Sequence, residues 1–150
     1  MTFFLTILAG VVIFVLGQMA LKLIIEPVHE FRRVVADISH ALIEDAQVIW
    51  NPGLIGCERE DAVSDRLRNL SSRLNAQMYL IPRYEWSGRI FGLPSRKEVT
   101  DAAGHLIGLS NSLHKSTADT LGTRNVEVLQ KICRLLGIYV PERERLDNEP

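Results

Sequence analysis

The sequence has little cysteine and none of the short motifs that mark common enzyme classes. Its two cysteines, Cys57 and Cys133, lie far apart, and neither has a second potential ligand at the spacing of zinc sites. The chain contains no P-loop, no G-x-G-x-x-G and no G-x-S-x-G. These absences argue against a zinc module, a nucleotide-binding domain and an α/β-hydrolase.

A surplus of one charge sign is also missing. The chain has 17 Lys and Arg against 18 Asp and Glu, interspersed along its length, which gives a net charge of −1. Because a dedicated nucleic-acid-binding protein usually carries a basic excess, no nucleic-acid partner is predicted. No stretch alternates apolar and polar residues for long, so no sheet is predicted; residues 89–93 suit a short extended piece but have no evident pairing partner.

What the sequence does contain is a nearly unbroken apolar run at residues 3–25, FFLTILAGVVIFVLGQMALKLII. As a helix this run would be about 34 Å long, enough to cross a hydrocarbon core of about 30 Å. A cleaved signal peptide is disfavoured, because no Lys or Arg precedes the run and Gln18 stands two positions before Ala20, where cleavage needs a small residue. We therefore predict a transmembrane anchor over residues 1–26, in contact with the lipid bilayer.

The basic residues nearest the run predict its orientation. Lys22, Arg32 and Arg33 all lie toward its C-terminal side, where the positive-inside rule places the cytoplasm. The prediction is a single-pass protein of the bacterial inner membrane, with the N-terminus outside and the remaining domain in the cytoplasm. Both cysteines would then be free thiols, since disulfides are rare in that compartment.

Small residues recur on one side of the predicted span. Thr6, Gly10, Gly17 and Ala20 share one helix face, and such faces let transmembrane helices approach closely. Gln18, the one strongly polar residue deep in the run, can hydrogen-bond across a helix pair. These residues predict self-association or a membrane partner. The alternative is that Gly and Ala are simply common in spans, and that Gln18 lies near the interface.

Apolar residues in the rest of the chain recur with helical spacing and predict about four amphipathic helices. These helices cover approximately residues 28–50, 58–81, 95–113 and 124–136. Ser95 and Glu98 form a capping-box signature at the start of the third helix, and Gly137 suits the end of the last. The predicted fold class is all-α, with one N-terminal transmembrane helix followed by a cytoplasmic bundle of about four helices.

Three segments follow from this pattern: the anchor at 1–26, the helical bundle at 27–140 and a polar tail at 141–150 that is predicted to be disordered. Pro27 suits either the first turn of a new helix or a kink in a continuous one. Gly104 and Gly108, inside the third predicted helix, each cost about 1 kcal/mol relative to alanine. Close approach of another helix at these glycines would offset that cost.

Carboxylate and histidine side chains one turn apart raise a metal-site hypothesis. Asp37, His40 and Glu44 lie on the first predicted domain helix, and His105 lies on the third. Carboxylate–His pairs on bundle helices hold di-iron centres, but those centres use two Glu-x-x-His helices with further inward glutamates. The alternative is a solvated face with ordinary pairs of charges one turn apart, and no metal or cofactor is predicted.

The most unusual part of the domain is residues 79–97, YLIPRYEWSGRIFGLPSRK, which combine four aromatic residues with four basic ones and a single acid. Aromatic and arginine side chains are common in interface hot spots and beside anionic lipid headgroups. The residues singled out for contact with a protein or the inner leaflet are Arg83, Tyr84, Trp86, Arg89 and Phe91. The alternative is that the aromatics plug one end of the bundle while the arginines lie in water.

Two stretches, SDRLRNLSSRLNAQMYLIP at 64–82 and LPSRKEVTDAAGHLIGLSNSL at 93–113, resemble an uncharacterised group of small bacterial proteins. Members of this group have one N-terminal span and a helical cytoplasmic domain. The resemblance implies a bacterial source and no particular activity.

The function predicted from the sequence is therefore a non-enzymatic, membrane-anchored helical module that binds a protein partner or forms a scaffold. The first alternative is a small membrane effector, toxin-like or phage-defence-like, that acts by oligomerising through Thr6, Gly10, Gly17 and Ala20. The second is a metal-dependent enzyme.

Overall fold

The computed structural model describes residues 2–114 and 118–139, and all regular secondary structure within these ranges is helical. The elements are α1 (Thr2–Ala20), a π-helical turn (Leu21–Ile25), α2 (Glu26–Glu44), α3 (Ala46–Trp50), α4 (Cys57–Leu80), α5 (Tyr84–Phe91), α6 (Arg96–Ser112) and α7 (Ala118–Leu136). The all-helical class predicted from the sequence is confirmed. The tail predicted over 141–150 lies outside the described residues.

Helices α1 and α2 form one uninterrupted helix through the π-helical turn. The Glu26 backbone N–H donates to the Leu21 carbonyl, one residue further back than in an α-helix, and Pro27 follows in the first turn of α2. Proline has no N–H, and its ring crowds the carbonyl four residues earlier, so the wider π turn lets the helix continue past it. The apolar helix therefore leads directly into the first helix of the core.

The change from exposed to buried side chains falls close to Pro27. This helix is long and apolar enough to cross a membrane, by length and composition. Before Glu26, its large apolar side chains are 40–80% exposed, except for the half-buried Ile24. After Pro27, Val28 and Phe31 are only 3% and 1% exposed. One continuous helix thus has an apolar half whose large side chains are exposed and a half that belongs to the hydrophobic core.

Buried faces of α2, α3, α4, α6 and α7 form one hydrophobic cluster. The helix predicted over 28–50 is interrupted at Asp45, which is 4% exposed and whose carboxylate lies 3.1 Å from the Arg66 guanidinium. The capping box of Ser95 and Glu98 is confirmed. Gly137, with φ of 66°, ends α7 in the left-handed conformation, as predicted.

Helix α5 is an element that the sequence pattern misses. The extended piece expected at 89–93 is wrong, because residues up to Phe91 are helical. Left-handed residues border the helix on both sides, Arg83 with φ of 45° and Gly92 with φ of 63°. An eight-residue helix shows too few turns for its period to stand out among a cluster of aromatic and basic residues.

Polar contacts between the helices set an antiparallel register. Arg73 pairs with Asp37 at 3.0 Å and Arg66 with Asp45 at 3.1 Å, so α4 runs back along α2. Ser71 donates to the Ala103 carbonyl at 2.9 Å, and Ser64 lies 2.9 Å from Ser110, so α6 reverses direction again. The end of α4 and the start of α6 therefore meet at the end of the domain next to Ile25. We term this the proximal end and the opposite one the distal end.

Candidate functional site

Helix α5 lies across the proximal end of the domain. At its start, the Tyr84 ring makes an edge contact with Phe31, with centroids 6.1 Å apart. At its end, the Phe91 carbonyl accepts a hydrogen bond of 2.6 Å from Arg32. The two ends of α5 are about 10 Å apart along its axis, yet both contact consecutive residues of α2. Side chains of α2 therefore hold both ends of α5.

The inward face of α5 is built around Tyr84, which is 1% exposed. Its hydroxyl donates to the Pro94 carbonyl at 2.7 Å, and the Arg96 guanidinium lies 5.6 Å from the ring centroid. Burial, with a smaller contribution from the charge of Glu85, raises the pKa of Tyr84 to about 12. Tyr84 is thus a core residue, which corrects its assignment to a contact surface; Phe91 is partly buried against the same core.

The outward face of α5 presents Trp86, Arg89 and Ile90, because Arg89 and Ile90 both lie about one helical turn after Trp86. Trp86 is 59% exposed and Ile90 is 57% exposed. Arg83, at the start of the helix, is also exposed. Tyr84 therefore fills the end of the core while Trp86 faces outward, and contact of Trp86 with a protein or with lipid stays a prediction.

Free positive charge accompanies this outward face. Arg83, Arg89 and Lys97 are exposed and make no ion pair with any residue in the described ranges. Arg96 differs, because it packs on Tyr84 and lies 3.6 Å from the Glu85 carboxylate. We define the proximal surface as the exposed side chains of Arg83, Trp86, Arg89, Ile90 and Lys97.

The carboxylates of the metal-site hypothesis pair with arginines. Asp37 pairs with Arg73, and the Glu44 carboxylate lies 2.6 Å from Arg66 and 3.4 Å from His40. Hydrogen bonds to the Glu44 and Asp45 carboxylates raise the pKa of Arg66. Among the described residues no group of three or more His, Cys, Asp or Glu side chains is placed to hold a metal ion.

A histidine that the sequence pattern did not single out links α6 to α4. His114 Nε2 lies 3.0 Å from Ser64 Oγ, and His114 Nδ1 lies 3.5 Å from an Asp61 oxygen. This is the connectivity of a Ser–His–Asp triad, in which histidine takes the serine proton and the carboxylate orients the histidine. Ser64 and His114 are 50 positions apart, so no local spacing could indicate the pair.

Access to Ser64 decides what this arrangement can do. A nucleophilic serine must reach a substrate carbonyl, but Ser64 is 1% exposed. Its oxygen also lies 2.9 Å from Ser110 Oγ, which accepts a hydrogen bond from Arg68 Nε. The open cleft of about 240 Å³ beside His114 is lined by Gly53, Gly56, Cys57, Glu60, Asp61 and Leu113, without Ser64. We therefore interpret these hydrogen bonds as structural contacts that hold α4 against α6, not as a catalytic triad.

The serine should accordingly be unreactive. We expect a fluorophosphonate probe not to label Ser64 in the folded chain, because the hydroxyl is buried and already hydrogen-bonded. Labelling followed by peptide mass spectrometry measures this, with a known serine hydrolase as the positive control. Labelling that disappears in both Ser64→Ala and His114→Ala would contradict our interpretation and revive the enzyme alternative.

The small-residue face of the apolar helix is present on a regular α-helix. Residues 2–20 are α-helical, which places Gly10 and Gly17 on one side, and nothing lies within 4 Å of a Cβ built at either glycine. Gln18 lies about 100° around the helix from Gly17, outside that face. The self-association of Thr6, Gly10, Gly17 and Ala20 stays a prediction.

Comparison with known proteins adds no relative from which a role for this site could be carried over. No protein-family model matches the chain, and neither a curated protein nor a solved structure matches it.

Proposed function

We propose that this chain is a single-pass protein of the bacterial inner membrane whose helical bundle serves as a non-enzymatic interaction module on the cytoplasmic face. The observation that carries the proposal is the uninterrupted helix from Thr2 to Glu44, apolar and exposed before Glu26 and part of the core after Pro27. Burying one large aliphatic or aromatic side chain is worth about 1.5–3 kcal/mol, so a bilayer is the favourable environment for the apolar half.

The continuous helix also constrains how the domain lies. Because no loop separates the span from the core, the proximal end faces the membrane surface and the distal end points away from it. Lys22, Arg32 and Arg33 favour the cytoplasm for this domain. The residues of the proximal surface are then among those available for contact at the membrane.

Cys57 offers a direct test of topology, because it is exposed while Cys133 is buried. We expect a membrane-impermeant maleimide to leave Cys57 unmodified in intact spheroplasts and to modify it after permeabilisation. Gel-shift or mass detection of the adduct measures this. A Thr2→Cys variant in a Cys57→Ser background is the matched control and should react in intact spheroplasts, because Thr2 precedes the apolar run. Reaction of Cys57 in intact spheroplasts would overturn the proposed orientation.

A further inference from the structure

We propose that α5 is an interfacial helix that lies in the headgroup layer of the adjoining leaflet and binds anionic phospholipid through the proximal surface. The inference rests on the proposed transmembrane placement of residues 3–25. It commits to one occupant, the negatively charged surface of the same membrane, and not to a protein partner.

The height of α5 above the bilayer supports this placement. Phe31, which contacts Tyr84, is six residues beyond Ile25, or about 9 Å along the continuous helix. A helix with its side chains has a radius of about 5–6 Å, so the side of α5 nearest the bilayer lies about 3–4 Å from the hydrocarbon boundary. The headgroup layer of one leaflet is about 5–8 Å thick, so this side of α5 lies within it and Trp86 is within reach of the lipid phosphates.

The orientation and composition of α5 agree with this height. The proposal places α5 roughly parallel to the bilayer, as interfacial amphipathic helices lie. Its inward face is held by Phe31, Arg32 and Pro94, and its outward face combines Trp86 and Ile90 with Arg89. Tryptophan is enriched at the level of lipid headgroups because its ring is apolar and its N–H is polar.

Charge complementarity selects anionic lipid. Arg83, Arg89 and Lys97 make no ion pair with any residue in ranges 2–114 and 118–139, so their charges are available to phosphates. Arg83 also adopts a left-handed conformation, with φ of 45°, that glycine would adopt without strain.

The two tryptophans of the chain provide an internal control for testing this proposal. Trp86 is at the proximal end, while Trp50 follows Asp45 at the distal end, about 30 Å along the helix from Ile25. The full-length chain is reconstituted into vesicles whose phosphatidylcholine is brominated near the headgroup end of the acyl chains, with or without phosphatidylglycerol. Trp50→Phe then reports on Trp86 alone, and Trp86→Phe reports on Trp50 alone.

We expect bromine to quench the emission of the Trp50→Phe chain in vesicles that contain phosphatidylglycerol, and to leave the Trp86→Phe chain almost unquenched. Combining Arg83→Gln, Arg89→Gln and Lys97→Gln should abolish the increase in quenching caused by phosphatidylglycerol, since each basic residue near such a surface is worth about five-fold in binding. Arg59→Gln, an exposed arginine at the distal end, is the matched control and should change nothing.

Equal quenching of the two tryptophans would overturn the inference, and so would quenching of Trp86 that ignores phosphatidylglycerol. Both vesicle leaflets have the same composition, so this result does not depend on the N-out orientation tested through Cys57. In cells, benzoylphenylalanine in place of Trp86 separates the possible occupants. A phospholipid adduct supports the inference, and an adduct with another protein or a second copy of the chain contradicts it.

Discussion

Replacing Tyr84 with alanine is expected to lower the free energy of unfolding of the domain by about 3–5 kcal/mol, the usual cost of deleting a fully buried aromatic side chain. Tyr84 fills the proximal end of the core against Phe31, and its hydroxyl satisfies the Pro94 carbonyl. The variant would lose this packing together with the ring contact that holds the start of α5 against α2. Chemical denaturation of the detergent-solubilised chain, followed by far-UV circular dichroism, measures the change.

Trp86→Ala is the matched control, two positions along the same helix. Trp86 is 59% exposed, so its loss should change the free energy of unfolding by no more than about 0.5 kcal/mol. A similar cost for both variants would mean that the two faces of α5 are assigned incorrectly.

The comparison should be made near neutral pH. The pKa of Tyr84 is about 12 in the folded chain against 10.0 for an ordinary tyrosine, so folding favours the neutral phenol. Its contribution is therefore complete below pH 10 and is lost as the pH rises toward 12.

Gly122→Ala is expected to destabilise the domain by about 1–3 kcal/mol, the cost of overpacking a close contact. A Cβ atom built at Gly122 would lie 2.6 Å from the Trp50 carbonyl oxygen. Because this oxygen belongs to the backbone, it cannot rotate away, and α7 would have to move away from α3 to remove the clash. Nearby, the buried Asn125 side chain donates to the Ile49 carbonyl at 2.9 Å, and that movement would weaken this bond as well. The same denaturation measurement detects the effect.

Gly108→Ala should change the free energy of unfolding in the opposite direction. Nothing lies within 4 Å of a Cβ at Gly108, so alanine would add helix propensity worth about 1 kcal/mol without a clash. The opposite signs make the pair a sensitive test, and destabilisation by Gly108→Ala would show that another helix approaches α6 there. The helix approach expected from the sequence at Gly104 and Gly108 is absent from the described structure and occurs at Gly122.

Helices that local chemistry specifies could be predicted closely. The period of apolar residues indicated α4, α6 and most of α2, and the Ser95–Glu98 capping box marked the start of α6. In the folded chain, hydrogen bonds from Ser95 lower the pKa of Glu98, which favours the charged carboxylate at this cap. The sequence pattern predicts that α7 begins near residue 124, whereas it begins six residues earlier, at Ala118. The residues between these two positions show no clear apolar period.

The candidate site could be predicted only as a segment of the chain. Composition singled out residues 79–97, but composition could not distinguish Tyr84, which is buried, from Trp86, which is exposed. That difference depends on Phe31 and Arg32, which are distant in sequence and contact the two ends of α5. The same is true of Ser64 and His114, which meet only because α4 and α6 pack in antiparallel register.

By itself, the sequence determined the apolar N-terminal helix, the all-helical class and the basic, aromatic character of residues 79–97, since these depend on the order and type of neighbouring residues. Only the tertiary structure decided that this helix continues past Pro27 into the core, that α5 lies across the proximal end and that Trp86 faces outward. These features depend on contacts between helices, and a local pattern specifies which face of a helix is apolar without specifying what will cover it.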